Sequence, residues 1–354
     1  MAFTLDTLQR FCDRSKLTPC GSSGEVFLFD GVDPYQSEGI SRQFLQDARI
    51  YHERYFKPTH FRMLLQRAFA RAEFPIGTQS DLAVLDLGSG SGNTVIPLLD
   101  FNPSLKVIAT DLSIDLLLIL AELVRGHDYG QRLGFICADA NGKTFYDGVF
   151  DAVIGSAILH HLMRPEAAVI HALASLKPGG LAVFFEPFEY GCNMMKNLYL
   201  LILDDPRCPA EIAPEVIAHF QATIKDFNAR FDVGTVKPHT QWLDDKWLFT
   251  GQFFGEISRR SGCQLMGLFN NWEDSLEDVY TRQLLDSLKL TGLGEHKLPA
   301  WCLELCRDYD RSVALPLKRS LVLWGTALIR KPGQIAAAGR NAALGWTSST
   351  SHTA

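Results

Sequence analysis

The chain has 354 residues and a formal net charge of −6, from 34 basic and 40 acidic side chains. Hydrophobic residues make up 47% and charged residues 21%, a composition that excludes a disordered chain and fits a globular protein. An acidic chain is poorly suited to holding phosphate backbones, so nucleic acid is not expected as a partner.

The predicted elements divide the chain into five parts. The segment 1–80 is predicted to be mostly helical, and its aromatic stretch IYHERYF fits either a helix packed on the core or a lid over a ligand. In 81–187, short apolar runs such as AVLDLG alternate with helix-like segments, which is typical of a parallel sheet covered on both faces. A helical insertion is predicted over 188–262. Strand character returns in 263–331 around a further helical insert, and the small, polar tail 332–354 is predicted to be disordered.

The cysteines and the N-terminal sequence indicate in which cellular compartment the protein is expected. The eight cysteines show no paired spacing, which argues against a disulfide scaffold or a structural zinc site. The N-terminus lacks the basic start and apolar run of a signal peptide, and LYLLIL near position 200 is too short to span a bilayer. We therefore expect a cytoplasmic protein without an integral membrane segment.

The central motif is a glycine-rich turn, VLDLGSGSGNT, in which a predicted strand at 84–87 runs into glycines and then into a helix. Glycines allow positive φ and leave room for a ligand near the backbone, and a helix start offers N–H groups with a positive dipole end. Spacing alone leaves an ordinary strand–helix turn equally open. A nicotinamide-binding fingerprint fits poorly, because Asn93 stands where that fingerprint has its last glycine.

Two acids end the next two predicted strands. Asp111 closes KVIATD and suits the two hydroxyls of a ribose. Asp139 follows FICA and suits an exocyclic adenine amine. Each acid fits a turn or cap role as well, although Ser113 is the better helix cap after Asp111. The presence of both acids beside one glycine loop favours a nucleoside site.

These motifs resemble those of class I S-adenosylmethionine-dependent methyltransferases, in particular the subgroup of ubiquinone/menaquinone-type and natural-product small-molecule enzymes. The segments that carry the resemblance, in the family's order, are VLDLGSGSG (84–92), VIATDLS (107–113), FICADA (135–140), FDAVIGSAILHHL (150–162) and LKPGGLAVFFEP (176–187). The resemblance implies an α/β, Rossmann-like, doubly wound sheet of seven strands with an antiparallel last strand. It also implies S-adenosylmethionine as the cofactor, bound by the core 81–187, and a substrate cap formed by 188–262.

The resemblance further implies roles for individual residues. The glycine loop would hold the methionine end of the cofactor, with Asp86 positioning the loop or meeting the amino group. Asp111 would bind the ribose and Leu112 would pack on the adenine. Asp139 with Ala140 would hold the adenine edge. The cofactor-binding residues expected on this basis are Asp86, Gly88, Ser89, Gly90, Gly92, Asp111, Leu112, Asp139, Ala140 and Ser156.

Two histidines are the candidates for a catalytic base. His160 and His161 follow the fourth predicted strand of the core at its carboxyl end, where open α/β sheets place ligands. Because the ordinary pKa of histidine lies near neutrality, either residue could take a proton from a hydroxyl, and His161 is preferred. A packing or helix-capping role fits both residues as well. No acids stand at ligand spacing from them, so no metal site is expected.

The acceptor is expected to be a small molecule. The segment GSAILHH lacks the Asn/Asp-Pro-Pro-Tyr/Phe signature of enzymes that methylate base amines. The aromatic side chains of 188–262 would form either an apolar wall for the acceptor or only the core of the insertion. We therefore expect O-methylation of a lipophilic or aromatic molecule, in the biosynthesis of a secondary metabolite or quinone-like compound. The alternatives are C- or N-methylation, a cofactor-binding regulatory protein without turnover, and a nicotinamide-dependent oxidoreductase.

Overall fold

One mixed sheet organises the part of the chain that the computed structural model describes, which is residues 3–21, 24–34, 47–129, 131–271 and 276–333. The strands in these ranges are β1 (Leu17–Cys20), β2 (Val26–Phe29), β3 (Ala83–Leu87), β4 (Lys106–Asp111), β5 (Leu133–Cys137), β6 (Phe150–Ser156), β7 (Leu176–Pro187), β8 (Gln264–Asn270) and β9 (Trp324–Arg330). Their order across the sheet is β1-β2-β5-β4-β3-β6-β7-β9-β8.

The strands from β3 to β7 form the parallel centre of the sheet. Each is a largely apolar run, as expected for strands that helices cover on both faces. The chain proceeds from β3 to one side through β4 and β5, and to the other side through β6 and β7. The strand order therefore reverses between β3 and β6, the place where doubly wound sheets bind ligands. β9 is antiparallel to both β7 and β8. The predicted α/β doubly wound sheet with an antiparallel last strand is confirmed.

The prediction of seven strands was two strands short. β1 and β2 form an antiparallel hairpin, and β2 pairs in parallel with β5 at Val26 and Phe135. This hairpin lies within 1–80, so the prediction of a mostly helical N-terminal segment was wrong over these residues. The apolar run VFLF is only four residues long, and so short a run has no periodicity that separates a strand from a helix.

Helices cover both faces of the sheet. They are α1 (Leu5–Leu8), α2 (Ala48–Tyr55), α3 (Pro58–Arg71), α4 (Val95–Phe101), α5 (Ile114–Leu123), α6 (Pro165–Ser175), α7 (Glu189–Asp204), α8 (Cys208–Glu211), α9 (Pro214–Arg230), α10 (Gly251–Arg260), α11 (Val279–Leu290), α12 (Ala300–Ser312) and α13 (Leu315–Ser320). Apolar residues of α3, α4 and α5 share a core with one face of the sheet. Those of α1, α6 and α10 share a core with the other face.

The insertions after β7 and after β8 join in a third core. Side chains of α7 and α9 pack there with side chains of α11 and α12. Within it, the rings of Tyr199 and Phe220 stack at 4.8 Å and both are buried. Farther along the first insertion, Phe249 and Phe254 belong to the core of the sheet itself. These aromatic residues of 188–262 therefore serve packing.

Two further predictions concern the C-terminal tail and membrane-spanning segments. The tail predicted to be disordered, 332–354, lies outside the described residues from 334 onward. In the described ranges, no helix has both the length and the apolar character that crossing a bilayer demands.

Candidate active site

The glycine loop after β3 contains three glycines at positive φ, and two different reasons account for them. Gly88, Gly90 and Gly92 have φ values of 64°, 52° and 105°. A Cβ on Gly88 would approach Ile158 to 2.6 Å, and a Cβ on Gly92 would approach Leu120 to 2.4 Å. A Cβ on Gly90 would meet nothing within 4 Å. Packing thus requires glycine at the first and third positions, while the second borders open space in which a ligand can approach the backbone.

The end of β4 fastens this loop. Asp111 accepts hydrogen bonds from the backbone N–H of Gly90 and of Ser113, each at 2.8 Å. The N–H of Ser89 donates to the carbonyl of Thr110 at 2.8 Å. Ser113 caps α5 by accepting from the N–H of Leu116, as the sequence predicts. Burial raises the pKa of Asp111 despite the backbone donors around its carboxylate.

Asp86 lies beneath the loop and leaves one polar atom without a partner. Its side chain is fully buried, and Oδ2 accepts a hydrogen bond from the hydroxyl of Thr94. Oδ1 is buried, and no described residue provides it with a hydrogen-bond partner. Burial raises the pKa of Asp86 to about 7. A buried carboxylate oxygen in this condition is a fitting place for a cationic donor such as an ammonium group.

A cavity lies at the carboxyl ends of β3, β4, β5 and β6. Of the predicted residues it brings together Gly88, Gly90, Asp111, Leu112, Asp139, Ala140, Ser156 and His161. Asp86, Ser89, Gly92 and His160 are not in its wall. The hydroxyl of Ser156 is buried there, and within the described part of the chain it has no hydrogen-bond partner. Asp139 accepts two 2.9 Å hydrogen bonds from Asn141, one from the backbone and one from the side-chain amide.

Helix α2 lies over the glycine loop. His52 Nδ1 is 2.7 Å from the hydroxyl of Ser91, and the amide of Asn93 donates to the carbonyl of Tyr55 at 3.0 Å. Tyr51, on the same helix, is in the wall of the cavity. Burial and the negative charges of Asp111 and Asp245 raise the pKa of the Tyr51 hydroxyl. Tyr51 thus contributes to the cavity wall, and a lid role for this aromatic segment stays a prediction.

The turn after β6 is clamped by a buried carboxylate. Ala157 adopts a φ of 53°, which is uncommon for a residue with a Cβ. Oε1 of Glu186 then accepts the N–H groups of Ile158 and Leu159 at 3.0 and 2.7 Å. Oε2 of Glu186 is 2.5 Å from Nδ1 of His160. Glu186 is fully buried at the end of β7, so it fixes the shape of this turn.

The two candidate histidines lie in different surroundings. His160 is 3% exposed and is not in the cavity wall. His161 is in the wall, and its Nδ1 donates to the carbonyl of Asp244 at 3.0 Å. Asp245 approaches both rings, with Oδ1 at 3.6 Å from His160 Nε2 and at 3.4 Å from His161 Nδ1. Burial and the neighbouring His160 lower the pKa of His161 to about 3, so its ring is neutral at physiological pH.

Asp245 was absent from the sequence analysis. It belongs to the segment 244–247, which is docked on the turn after β6 by hydrogen bonds at both ends. The N–H of Lys246 donates to the carbonyl of His160 at 2.7 Å, and the indole of Trp247 donates to the carbonyl of Leu162 at 2.7 Å. No sequence signal could have paired Asp245 with residues more than eighty positions earlier, because only the return of the insertion to the sheet brings them together.

A second, larger cavity of about 470 Å³ adjoins the first at Ser156 and Ala157. Its other lining residues come from the α3 region, from α11, from β7 and β9, and from the residue after β8. They are Lys57, His60, Phe61, Leu64, Phe185, Asn271, Gln283, Asp286, Lys289, Leu290 and Trp324. None of these lining residues belongs to 188–262, so the role of that insertion as a wall for the acceptor stays a prediction. The N-terminal segment and the later insertion provide the wall of this cavity.

The fold and the first cavity define a class of protein. A sheet whose order reverses beside a glycine loop, with acids at the ends of the next two strands, is a doubly wound nucleoside-cofactor fold. The residues fit S-adenosylmethionine in particular. The unpartnered Asp86 Oδ1 suits its ammonium group, the open side of Gly90 leaves room for its backbone, and Asp111 and Asp139 suit its adenosine.

Comparisons with known proteins agree. Residues 84–180 match the family model described as a methyltransferase domain. The chain therefore contains a class I S-adenosylmethionine-dependent methyltransferase domain. A demethylmenaquinone methyltransferase of Paenarthrobacter aurescens is 32% identical over 116 residues, which are 33% of this chain and 43% of the relative. The ubiquinone/menaquinone biosynthesis C-methyltransferase UbiE of Hahella chejuensis is 27% identical over 111 residues, 31% of this chain and 45% of the relative.

The matched stretch of this chain spans less than half the length of these two relatives. Among solved structures, the 4+2 cyclase SpnF has a TM-score of 0.46 at 17% identity, over 77% of this chain and 82% of that chain.

Proposed function

We propose that this chain transfers the methyl group of S-adenosylmethionine to an oxygen of a lipophilic, ring-bearing small molecule. The observation that carries the proposal is the junction of the two cavities at Ser156 and Ala157. The first cavity has the features of a nucleoside site, and the second has aromatic and aliphatic walls. A junction of this kind allows a donor and an acceptor to meet with water largely excluded.

The cofactor supplies a methyl group on a sulfonium, which is electrophilic without further activation. The residues of this chain therefore have mainly to bind and align. We assign the ribose to Asp111, the adenine edge to Asp139 and Ala140, and the ammonium group to Asp86. Leu112 packs on the adenine, and the backbone around Gly90 lies along the methionine end. Alignment of this kind supplies several kcal/mol, on the order of 7–11 at the extreme.

A hydroxyl acceptor must also lose a proton, and His161 is the residue we assign to accept it. Because Nδ1–H of His161 donates to the carbonyl of Asp244, the lone pair of the neutral ring is on Nε2. A proton taken up at Nε2 would be stabilised by the carboxylate of Asp245, which lies 3.4 Å from Nδ1. His161 with a pKa of about 3 is a weak base, so the proposal favours an acidic phenol or enol as the acceptor.

The walls of the second cavity suggest the acceptor's shape. Phe61, Phe185 and Trp324 offer aromatic surfaces and Leu64 an aliphatic one, which suits a flat ring. Lys57 and Lys289 also border this cavity, and they suit a carboxylate, a second phenolate or a phosphate on the acceptor. A cavity of about 470 Å³ has room for a molecule of two or three rings.

Methylation at carbon is the second candidate, and the names of the relatives favour it. The relative from Hahella chejuensis is described as a C-methyltransferase. A phenolate or enolate presents both an oxygen and a neighbouring ring carbon to an electrophile, so the same site could serve either outcome. The orientation of the ring in the second cavity would then select the atom.

The deciding experiment uses cofactor labelled in its methyl group. The purified chain is incubated with this cofactor and a metabolite extract, and labelled products are isolated and analysed by mass spectrometry and NMR. We expect a labelled, organic-soluble product with the label on an ether oxygen. A label on carbon would select the second candidate. Cofactor binding by calorimetry without any labelled product, from extracts of several sources, would identify a binding protein instead. The Gly90→Val variant is the control for background transfer.

A further inference from the structure

We propose that His160, His161 and Asp245 form a binding site for a divalent cation that prefers nitrogen ligands, with Zn²⁺ as the representative ion. The three side chains, one ligand atom from each, come within 4.8 Å of one another. Two imidazoles and one carboxylate are a ligand set typical of zinc and its neighbours in the first transition row. This site goes beyond the proposed function, and its occupancy does not depend on methyl transfer.

The separations of the donor atoms fit a metal better than they fit hydrogen bonds. His160 Nε2 and His161 Nδ1 lie 3.6 and 3.4 Å from the same oxygen, Oδ1 of Asp245. Good N–H···O hydrogen bonds are about 2.7–3.2 Å long. Around an ion with bonds of about 2.0–2.1 Å, tetrahedral ligands stand about 3.4 Å apart.

The surroundings of His160 prepare its Nε2 as a ligand. Glu186 Oε1 accepts two backbone N–H groups, and Oε2 lies 2.5 Å from Nδ1 of His160. When Glu186 Oε2 accepts a hydrogen bond from Nδ1–H of His160, the lone pair of the neutral ring is on Nε2, beside Asp245. A carboxylate that orients a histidine in this way is the usual companion of a metal-ligating imidazole.

The local charge also favours a cation. Asp245 and Glu186 border the site, and Asp226 lies behind it as a partner of Arg230 at 3.0 Å. The positive groups are Arg230, which is 3.5 Å from the other oxygen of Asp245, and Lys246. Lys246 directs its ammonium group to the carbonyl of Leu243 at 2.6 Å. Asp245 and Glu186 thus bring two carboxylates to the pair of imidazoles, and Arg230 is a cation that contacts Asp245.

A bound ion would also change the chemistry of His161. When Nδ1 ligates the metal, its proton is displaced and the neutral ring carries a proton on Nε2 instead. That nitrogen is the one to which the proposed function assigns proton acceptance. The metal and the accepted proton are therefore mutually exclusive, so an ion here should inhibit methyl transfer to a hydroxyl. This consequence, unlike the binding itself, rests on the proposed function.

The first test is calorimetric titration of the full chain with Zn²⁺ and, separately, with Mg²⁺. We expect one Zn²⁺ per chain to bind through this site, and no comparable binding of Mg²⁺, which prefers oxygen ligands. Asp245→Asn keeps the shape and removes a ligand, and should weaken that binding at least about 100-fold, more than the 10–100-fold typical of a lost outer-shell partner. His161→Ala should do the same. His127→Ala, a variant of an exposed histidine stacked on Tyr129 outside the cluster, is the matched control.

The eight free thiols can bind Zn²⁺ independently, but they are unchanged in all these variants, so the difference between variants reports on this site. Circular dichroism establishes that each variant is folded. Equal stoichiometry and affinity for Zn²⁺ in the wild type, Asp245→Asn and His161→Ala would overturn the metal site. A second measurement follows methyl transfer at rising Zn²⁺. Inhibition with a midpoint at the measured Kd is expected, and binding without inhibition would overturn the displacement of the proton while leaving the metal site in place.

Discussion

The carboxylate of Asp111 accepts a 2.8 Å hydrogen bond from the backbone N–H of Gly90, so the residue expected to bind the ribose also holds the glycine loop. A loss of cofactor affinity in an Asp111 variant therefore has two sources, loop position and ribose contact. Each charge-assisted hydrogen bond is worth roughly 1.5–3 kcal/mol. We expect Asp111→Ala to weaken S-adenosylmethionine binding at least about tenfold, measured by calorimetry.

A 2′-deoxy analogue of the cofactor separates these two sources. The wild type should prefer the ribose form, and Asp111→Ala should discriminate little between the two. An unchanged preference in the variant would mean that Asp111 acts on the loop alone.

The middle glycine of the loop is the one whose replacement meets no packed neighbour, although its φ of 52° strains the backbone of any other residue there. A valine at Gly90 would place its side chain in open space beside the cofactor cavity. We expect Gly90→Val to abolish detectable cofactor binding, because a branched side chain occupies the volume that the ligand needs. Gly126→Val is a matched control, since Gly126 also has a positive φ and open space around its Cβ but lies outside the cavity. Near-wild-type cofactor affinity in a folded Gly90→Val protein would contradict the assignment of this loop to cofactor binding.

Asp86 predicts a pH-dependent stability. Its pKa is raised to about 7 by burial, whereas an unfolded chain would have an aspartate pKa of about 3.9. The folded state therefore binds more protons than the unfolded state between about pH 4 and pH 7, and this group's contribution to the free energy of unfolding falls as pH rises through that window. Three pKa units correspond to at most about 4 kcal/mol.

Asp86→Asn removes the titration and keeps an oxygen for the hydroxyl of Thr94. In urea unfolding without cofactor, the variant should gain stability relative to the wild type between pH 4 and pH 7, and the difference should level off above. Parallel stability curves for the two proteins would show that Asp86 titrates normally. Saturating cofactor should reverse the order at pH 8, because an ionised Asp86 then has an ammonium partner.

The two histidines should respond differently to replacement by alanine. His161→Ala should lower the rate constant of methyl transfer to a hydroxyl by about 10²–10⁴-fold, with little change in cofactor affinity. His160→Ala should instead lower stability, since it leaves Oε2 of buried Glu186 without its partner, at a cost of about 1–3 kcal/mol. Single-turnover kinetics and thermal unfolding measure the two effects. Equal, small losses of rate in both variants would make the pair structural.

The pH profile adds a second criterion for His161. A histidine of ordinary pKa would give a rate that rises with pH through neutrality. Because burial and His160 lower the pKa of His161 to about 3, its ring is already neutral at pH 5 and the rate should not rise from this group between pH 5 and pH 8. A rise in that range that disappears in His161→Ala would contradict the low pKa.

The second cavity predicts which aromatic residue matters to the acceptor. Phe61 lines it, whereas Phe253 lies in the insertion 188–262 and borders a different surface. Phe61→Ala should raise the KM for the acceptor about tenfold or more, since contact with a large apolar side chain is worth roughly 1.5–3 kcal/mol. Phe253→Ala should leave that KM nearly unchanged, and calorimetry should give both variants the same cofactor affinity. A raised KM in Phe253→Ala with an unchanged KM in Phe61→Ala would indicate that the 188–262 insertion binds the acceptor.

The sequence by itself determined the features that are local or periodic. Apolar runs between helix-like segments predicted a parallel sheet covered on both faces, and the resemblance to a known family implied its doubly wound order. The motif around Gly88 and the acids Asp111 and Asp139 were predicted to share one site, and they line one cavity. These residues are found together because a parallel sheet places the carboxyl ends of its strands at one edge. The helix cap at Ser113 was also predicted correctly, because a cap depends only on the backbone of the next few residues.

Only the tertiary structure decided which distant residues complete the site. The hairpin of β1 and β2, the wall of the second cavity and the approach of Asp245 to His160 and His161 all depend on contacts between segments far apart in the chain. No metal site was expected, because no acid lies at ligand spacing from His160 and His161 in the sequence. Asp245 is more than eighty positions away, so sequence spacing could not reveal it. Sequence was equally uninformative about the pKa of His161, which depends on burial, on the neighbouring His160 and on charges from the distant segment 244–247. The ordinary pKa of a histidine in a peptide was therefore no guide to its state in the fold.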